Sequence, residues 1–203
     1  MLAWLISALL AHQEVLERFR AIVETFMTLD KASSFDSASF CADPFIQAVW
    51  KEALRLGVSS SAARVVTRQT EIEGYIVKPG SVILIPTRVL HFDENVFTQP
   101  DQFNPWRWIN EQTEKDGNPL PAVSADQLKK QNDSFRPFGG GTGVCSGRFI
   151  AEREVLMAAA VLLHRFDFLV QPGQQIAQPN LNPRALGAMY PLVDPNVTVR
   201  SRR

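Results

Sequence analysis

From Ser134 to Arg148 the chain reads Ser-Phe-Arg-Pro-Phe-Gly-Gly-Gly-Thr-Gly-Val-Cys-Ser-Gly-Arg, and four glycines, at 139, 140, 141 and 143, fall within five positions. With no Cβ in the way and φ > 0 allowed, backbone of this composition can lie flush against a flat surface. The run from Phe149 to Phe168 follows with apolar residues at helical spacing, so a helix is predicted there. Cys145 stands at the mouth of that helix. Unpaired amides and the positive end of a helix dipole favour a thiolate over a thiol, which prepares a sulfur as nucleophile or metal ligand. One cysteine does not build a zinc site, and no CxxC or HxxxH partner stands near it. A phosphate-cradling loop is excluded because Gly-x-x-x-x-Gly-Lys-Ser/Thr does not occur. A buried structural cysteine is the bland alternative. A lone thiolate approached by glycine backbone suits axial ligation of a haem iron.

The segment Phe138-x-x-Gly141-x-x-x-Cys145-x-Gly147 resembles the haem-binding signature of cytochrome P450. The resemblance implies that Cys145 is the axial ligand of haem b and that Phe138 shields its thiolate. It also places Gly139, Gly141 and Gly147 against the cofactor.

Two further segments carry the likeness. Glu52 and Arg55 are three apart on a predicted helix and share one face, a spacing that in isolation is an ordinary surface pair. Glu52-x-x-Arg55 resembles the family's Glu-x-x-Arg. Pro100-Asp-Gln-Phe103-Asn-Pro105-Trp-Arg107-Trp108 resembles its Pro-x-x-Phe-x-Pro-x-Arg-Trp segment. The resemblance implies a structural triad of Glu52, Arg55 and Arg107, in which two guanidinium groups satisfy one carboxylate. Arg64 has two readings, a haem-propionate partner or a surface residue leading a strand. His91 likewise is either a propionate contact or a structural histidine.

A chain of 203 residues, 45% of them hydrophobic, buries one core, so one domain over residues 1–203 is expected. Lys+Arg and Asp+Glu are balanced at 21 each, which gives no field to gather nucleic acid or an anionic membrane. The loop around Cys145 argues for a reduced thiol rather than a bridge to Cys41, and so for an intracellular setting. Met1 to Leu10 is apolar but lacks a basic leading region and is too short for a span. Neither a membrane anchor nor a convincing signal peptide is expected in it.

In order, the chain predicts one helix from Met1 through Glu24, with a stripe at Val15, Phe19, Ile22, Val23 and Phe26. A connector over 29–40 follows, then a helix from Pro44. A small sheet is expected from strands at 64–72, 75–77 and 82–85, the last of them buried. A long surface loop is expected over 109–133. On the helix after Cys145, Ile150, Val155, Leu156, Ala159, Leu162 and Leu163 are expected to pack, with Glu152, Arg153 and Glu154 outside. Terminal strands are expected at 166–170, 185–192 and 196–200.

The fold class expected is mainly α with small β-sheets (α+β), the C-terminal half of the cytochrome P450 fold, closest in flavour to the sterol 7α-hydroxylase and prostacyclin synthase branch. Gly143 holds a position where the family commonly has Arg or His, which removes one expected propionate contact. The implied activity is oxidation of a small lipophilic substrate with electrons from NADPH-cytochrome P450 reductase, on the endoplasmic reticulum membrane in full-length relatives. The family's membrane anchor, substrate roof and distal acid-alcohol helix have no counterpart in these residues, so no catalytic proton-delivery pair is assigned. Three outcomes follow from that: an active half joined by a partner chain, an incompetent truncated remnant, or a cofactor-free interaction module.

Overall fold

The computed structural model describes residues 1–27, 35–110, 123–171, 187–189 and 196–202. Helices α1 (Leu2–Ala11) and α2 (Gln13–Phe26) replace the single helix expected at the start. His12, at φ −129° and ψ 86°, leaves the helical region. Its ring Nδ1 turns back to within 2.8 Å of the Ala8 carbonyl oxygen, one of the acceptors that the end of α1 leaves unpaired. The break lets both helices face one core, through Leu5 and Leu9 on α1 and Val15, Phe19 and Val23 on α2. The expected connector contains a short helix, α3 (Ser37–Ala42). Asp36 caps it by accepting from the Ser39 amide at 3.0 Å, and Phe40 and Cys41 are buried.

The axis of the core is α4 (Pro44–Gly57). Pro44 opens it without wasting an amide, and the Asp43 carboxylate accepts from the Phe45 and Ile46 amides at 2.9 and 3.0 Å. Ile46, Val49, Trp50, Ala53 and Leu54 are buried on it, against α1, α3 and the long helix that follows Cys145.

Beyond α4 the chain forms β1 (Val58–Ser59), β2 (Ser61–Val65), β3 (Thr70–Ile72), β4 (Tyr75–Val77) and β5 (Val82–Pro86). The expected strand over 64–72 is interrupted, and the expected single sheet is two antiparallel ribbons, β2 with β5 and β3 with β4. The expected burial of 82–85 is corrected as well: Val82 and Leu84 are 60% and 65% exposed. Among the described residues β5 pairs only with β2, and a two-stranded ribbon has no second layer to cover its faces.

Next come α5 (Thr87–His91) and a 3₁₀ turn, Pro105–Trp108, whose Trp106 amide donates to the Asn104 side chain at 3.1 Å. Helix α6 (Ala125–Ser134) occupies the second half of what the sequence predicts as a surface loop. Ser124 caps it by accepting from the Gln127 amide at 3.2 Å. Residues 111–122 of that expected loop lie outside the described residues.

Helix α7 (Arg148–Arg165) runs directly into β6 (Phe166–Val170). Leu156, Ala159 and Leu163 pack as expected, and Val155 and Leu162 are half-buried. Ile150 does not pack. It is 71% exposed, because the first turn of α7 overhangs α3 and lines an open hollow with Cys41 and Gln47. Of the strand expected at 185–192 the described part is β7 (Gly187–Ala188), paired with β1; residues 185, 186 and 190–192 lie outside the described set. β8 (Val197–Ser201) pairs with β6 from Phe166 opposite Ser201 to Val170 opposite Val197. Arg20 of α2 clamps this last ribbon, donating to the Asp167 carboxylate at 2.8 Å and to the Phe166 carbonyl at 3.1 Å. The architecture is mainly helical with small antiparallel sheets, the α+β class expected. Among the described residues no helix is long and apolar enough to cross a membrane.

Candidate functional site

The Glu52-x-x-Arg55 spacing puts both side chains on the buried face of α4, at 0% exposure. Arg55 grips the carboxylate with two prongs, Nη2 to Oε1 at 2.8 Å and Nε to Oε2 at 3.0 Å. Arg107, brought in by the 3₁₀ turn, donates from Nε to Oε1 at 3.1 Å. Glu52 also accepts from the Trp108 indole at 2.9 Å and the Asn104 amide at 3.0 Å. A carboxylate removed from water is tolerable only when its lone pairs are met this fully. The surplus guanidinium donors find backbone carbonyls. Arg55 Nη1 donates to His91 and Pro100 at 2.8 and 2.7 Å, and Arg107 Nη1 to Thr98 at 2.9 Å. Burial pulls the pKa of Arg107 below its ordinary value, opposed by the Glu52 charge. The three expected residues therefore meet in one buried cluster.

His91 is fully buried at the end of α5, and both ring nitrogens are engaged by backbone. Nδ1 lies 3.2 Å from the Arg55 carbonyl and Nε2 accepts from the Arg136 amide at 3.0 Å. That pattern fixes the neutral tautomer with the proton on Nδ1. Burial, the main cause, lowers its pKa to about 4. With no ring nitrogen left for a further partner, His91 ties α4 to the start of the glycine loop, and its ring stacks on Phe135 at 5.4 Å. Of its two sequence readings the geometry matches the structural one.

In the loop itself, Gly139 and Gly141 have φ of +77° and +64°, where a Cβ is strained. The Cys145 amide donates to the Phe138 carbonyl at 3.0 Å, which closes the loop. Phe138 is half-buried against the core cluster. The helix begins later than expected: Gly147 is the N-cap of α7, two residues beyond Cys145. Every residue from Gly141 to Ser146 is exposed, the cysteine included. A hollow on the loop is lined by Phe135, Phe138, Gly140, Val144 and Arg148 among others, but Cys145 does not line it. The Cys145 sulfur lies 3.8 Å from where a Cβ at Gly147 would stand. Arg136 and Arg148 are turned onto the loop's own backbone, donating to the Phe135 carbonyl at 2.8 Å and the Cys145 carbonyl at 3.0 Å. Arg64 reaches across from β2 and donates from Nη2 to the Gly140 carbonyl at 3.1 Å.

The arrangement fits a flat, mostly apolar group carrying carboxylates. An exposed thiol sits beside backbone with no side chain, a Cβ at Gly141 would project into open space, and a guanidinium lies alongside. The family model for cytochrome P450 matches residues 1–193. The chain belongs to the cytochrome P450 family. A cytochrome P450 monooxygenase of Penicillium decumbens is 31% identical over 82% of this chain and 31% of its own length. Oryzalexin E synthase of Oryza sativa subsp. japonica is 31% identical over 84% and 32%, and steroid 17-alpha-hydroxylase/17,20 lyase of Oryzias latipes 28% identical over 86% and 32%. This P450 chain thus spans about a third of the length of the curated relatives it matches.

Sequence reasoning missed the Trp108 indole, the Asn104 amide and the bridging role of His91. Trp108 carried a signal, since an indole N–H in a buried segment needs an acceptor and Glu52 has lone pairs to spare.

Proposed function

We propose that this chain supplies the thiolate side of a haem-thiolate monooxygenase, acting as one domain over residues 1–203, in which the Cys145 thiolate would hold the iron of haem b. The observation that carries the reading is the exposed Cys145 on a glycine loop whose entry is braced, through His91, by the buried Glu52 cluster. When bound, the haem supplies the redox chemistry by which a small lipophilic substrate is oxidised, with electrons delivered by NADPH-cytochrome P450 reductase. The protein's part is placement. Gly139 and Gly141 let backbone approach the ring, and Gly147 leaves the space beside the sulfur clear. Phe138 covers the loop from the core side and limits water there. The Glu52, Arg55 and Arg107 cluster fixes α4, and His91 transmits that position to the Arg136 amide two residues before Phe138. No residue here is assigned to proton delivery. The reduced, carbon-monoxide-treated difference spectrum of protein reconstituted with haem tests the reading. A Soret band at the thiolate position is expected, lost in Cys145→Ser; an imidazole-like band or none would overturn it.

A further inference from the structure

The Thr87 amide donates to the Ser60 carbonyl at 2.8 Å, and the Val66 amide donates to the Ser81 carbonyl at 2.9 Å. In the β2–β5 register, with Ala63 opposite Leu84, this makes the even-numbered residues of β2 the ones whose backbone faces β5. The amides and carbonyls of Ser61, Ala63 and Val65 therefore point the other way, and among the described residues β2 has no strand on that side. Side chains follow the same alternation. Arg64, at an even position, turns to the glycine loop and donates to the Gly140 carbonyl at 3.1 Å. Ser61, Ala63 and Val65 stand on the opposite face beside Pro86, Leu84 and Val82, and all six are exposed. A free edge is ordinarily blunted by lysine, proline or a bulge. The outward positions of β2 carry none of these, and the Arg64 guanidinium that reaches the Ala63 carbonyl at 2.8 Å leaves that oxygen a second lone pair. The outer edge of β5 is blunted, since Pro86 has no amide to offer and α5 starts at the next residue.

We infer that β2 pairs with β2 of a second copy of this chain, antiparallel and about a two-fold axis at Ala63. With Ala63 opposite the partner's Ala63 and Ser61 opposite the partner's Val65, each outward amide meets an outward carbonyl, so the edge is complementary to itself. The two ribbons merge into one four-stranded sheet, β5-β2-β2-β5, the width at which a sheet with an apolar face becomes stable where a lone ribbon is marginal. Small side chains at Ser61 and Ala63 leave the seam clear. Both Arg64 side chains stay on the loop face, held by their own Gly140 carbonyls, so pairing leaves the latch between β2 and the glycine loop in place. Balanced charge, 21 basic and 21 acidic residues, sets up no net repulsion between copies. The seam is short, which makes the association weak and reversible.

Sedimentation velocity of the full chain over a concentration series tests this pairing. The weight-average mass is expected to rise with concentration from 22.7 kDa toward twice that value. Ala63→Pro removes an outward amide and no β2–β5 hydrogen bond, so it should hold the protein at the monomer mass with an unchanged circular dichroism spectrum. Cross-linking reads the register directly and covers the case in which the proline variant does not fold. Directly paired Cα atoms lie about 5.5 Å apart, within disulfide reach. In a Cys145→Ser background, Ala63→Cys should give a covalent dimer on mild oxidation, reversed by reductant. Val82→Cys, exposed on the same face but one strand removed from the seam, should not. Equal dimer yields from the two cysteine variants, or a dimer that folded Ala63→Pro retains, would overturn the inference. A chain that stays monomeric throughout the series would overturn it as well and leave the edge to a strand of a different protein.

Discussion

Glu52 accepts five hydrogen bonds at zero exposure, whereas the run from Gly141 to Ser146 is exposed throughout and, among the described residues, the Cys145 sulfur has no hydrogen-bond partner. The two regions solve opposite problems. Around Glu52 the chain has removed charge from water and must satisfy every donor internally, so the cluster is rigid and breaks at high cost. Around Cys145 the side chains are open to solvent and the loop is closed by backbone hydrogen bonds and arginine contacts alone, so it contributes little buried area to stability. The scaffold and the thiol-bearing loop are thus separated, and the His91 ring is the join between them.

The sharpest way to break the comparison is Glu52→Ala, which strands two buried guanidinium groups and an indole N–H. A loss of roughly 3–5 kcal/mol is expected in a denaturant titration. A midpoint equal to that of wild type would make the cluster a solvated pair after all.

Acid probes the join. The His91 pKa falls from the ordinary 6.5 to about 4, with burial as the largest cause and the neighbouring Arg55, Glu52 and Arg136 charges acting in both directions. Above pH 6.5 folded and unfolded chains both hold a neutral ring, and it adds no pH dependence. Below that value the unfolded chain takes up a proton that the folded chain refuses, so stability falls toward pH 4 by roughly 3 kcal/mol in all. The pH 5–6.5 slope of unfolding free energy should flatten in His91→Gln; equal slopes in the two proteins would assign it to other groups.

Asp43→Ala removes the cap of α4 and should cost about 1 kcal/mol, read as a small shift in thermal midpoint. Cys145→Ser marks the bottom of the scale. As an exposed position it should alter stability by less than about 0.5 kcal/mol while abolishing the thiolate spectrum. A large destabilisation there would show that the loop is scaffold too.

What was legible in the residues follows the same divide. The Glu52, Arg55 and Arg107 cluster and the loop around Cys145 could be read because their spacing is chemically specific. The failures were matters of what covers what. Val82 and Leu84 read as a buried strand by their β-branched and apolar character, but apolarity does not say whether a second layer exists. Ile150 kept helical phase and still fell on an overhanging turn. Helix α6 was hidden because Asp126 to Asp133 is polar almost throughout, and its one local signal, Ser124 three residues before Gln127, is a capping pattern without an apolar run behind it. His12 breaks a continuous periodicity with a ring-to-backbone contact that no pattern encodes.

Arg55 also donates to carbonyls at His91, Pro100 and Gln102, so one side chain at the end of α4 grips the far end of a long stretch of chain. Both ribbons, β2 with β5 and β3 with β4, hang inside that closed tether. The entropy of closing a flexible tether rises only with the logarithm of its length, about 0.6 kcal/mol per doubling. Residues inserted at the tip of the β3–β4 hairpin, around Glu73 and Gly74, therefore lengthen a loop whose ends are already pinned. That part of the molecule is free to change in length and sequence while the ground beneath Cys145 stays where it is.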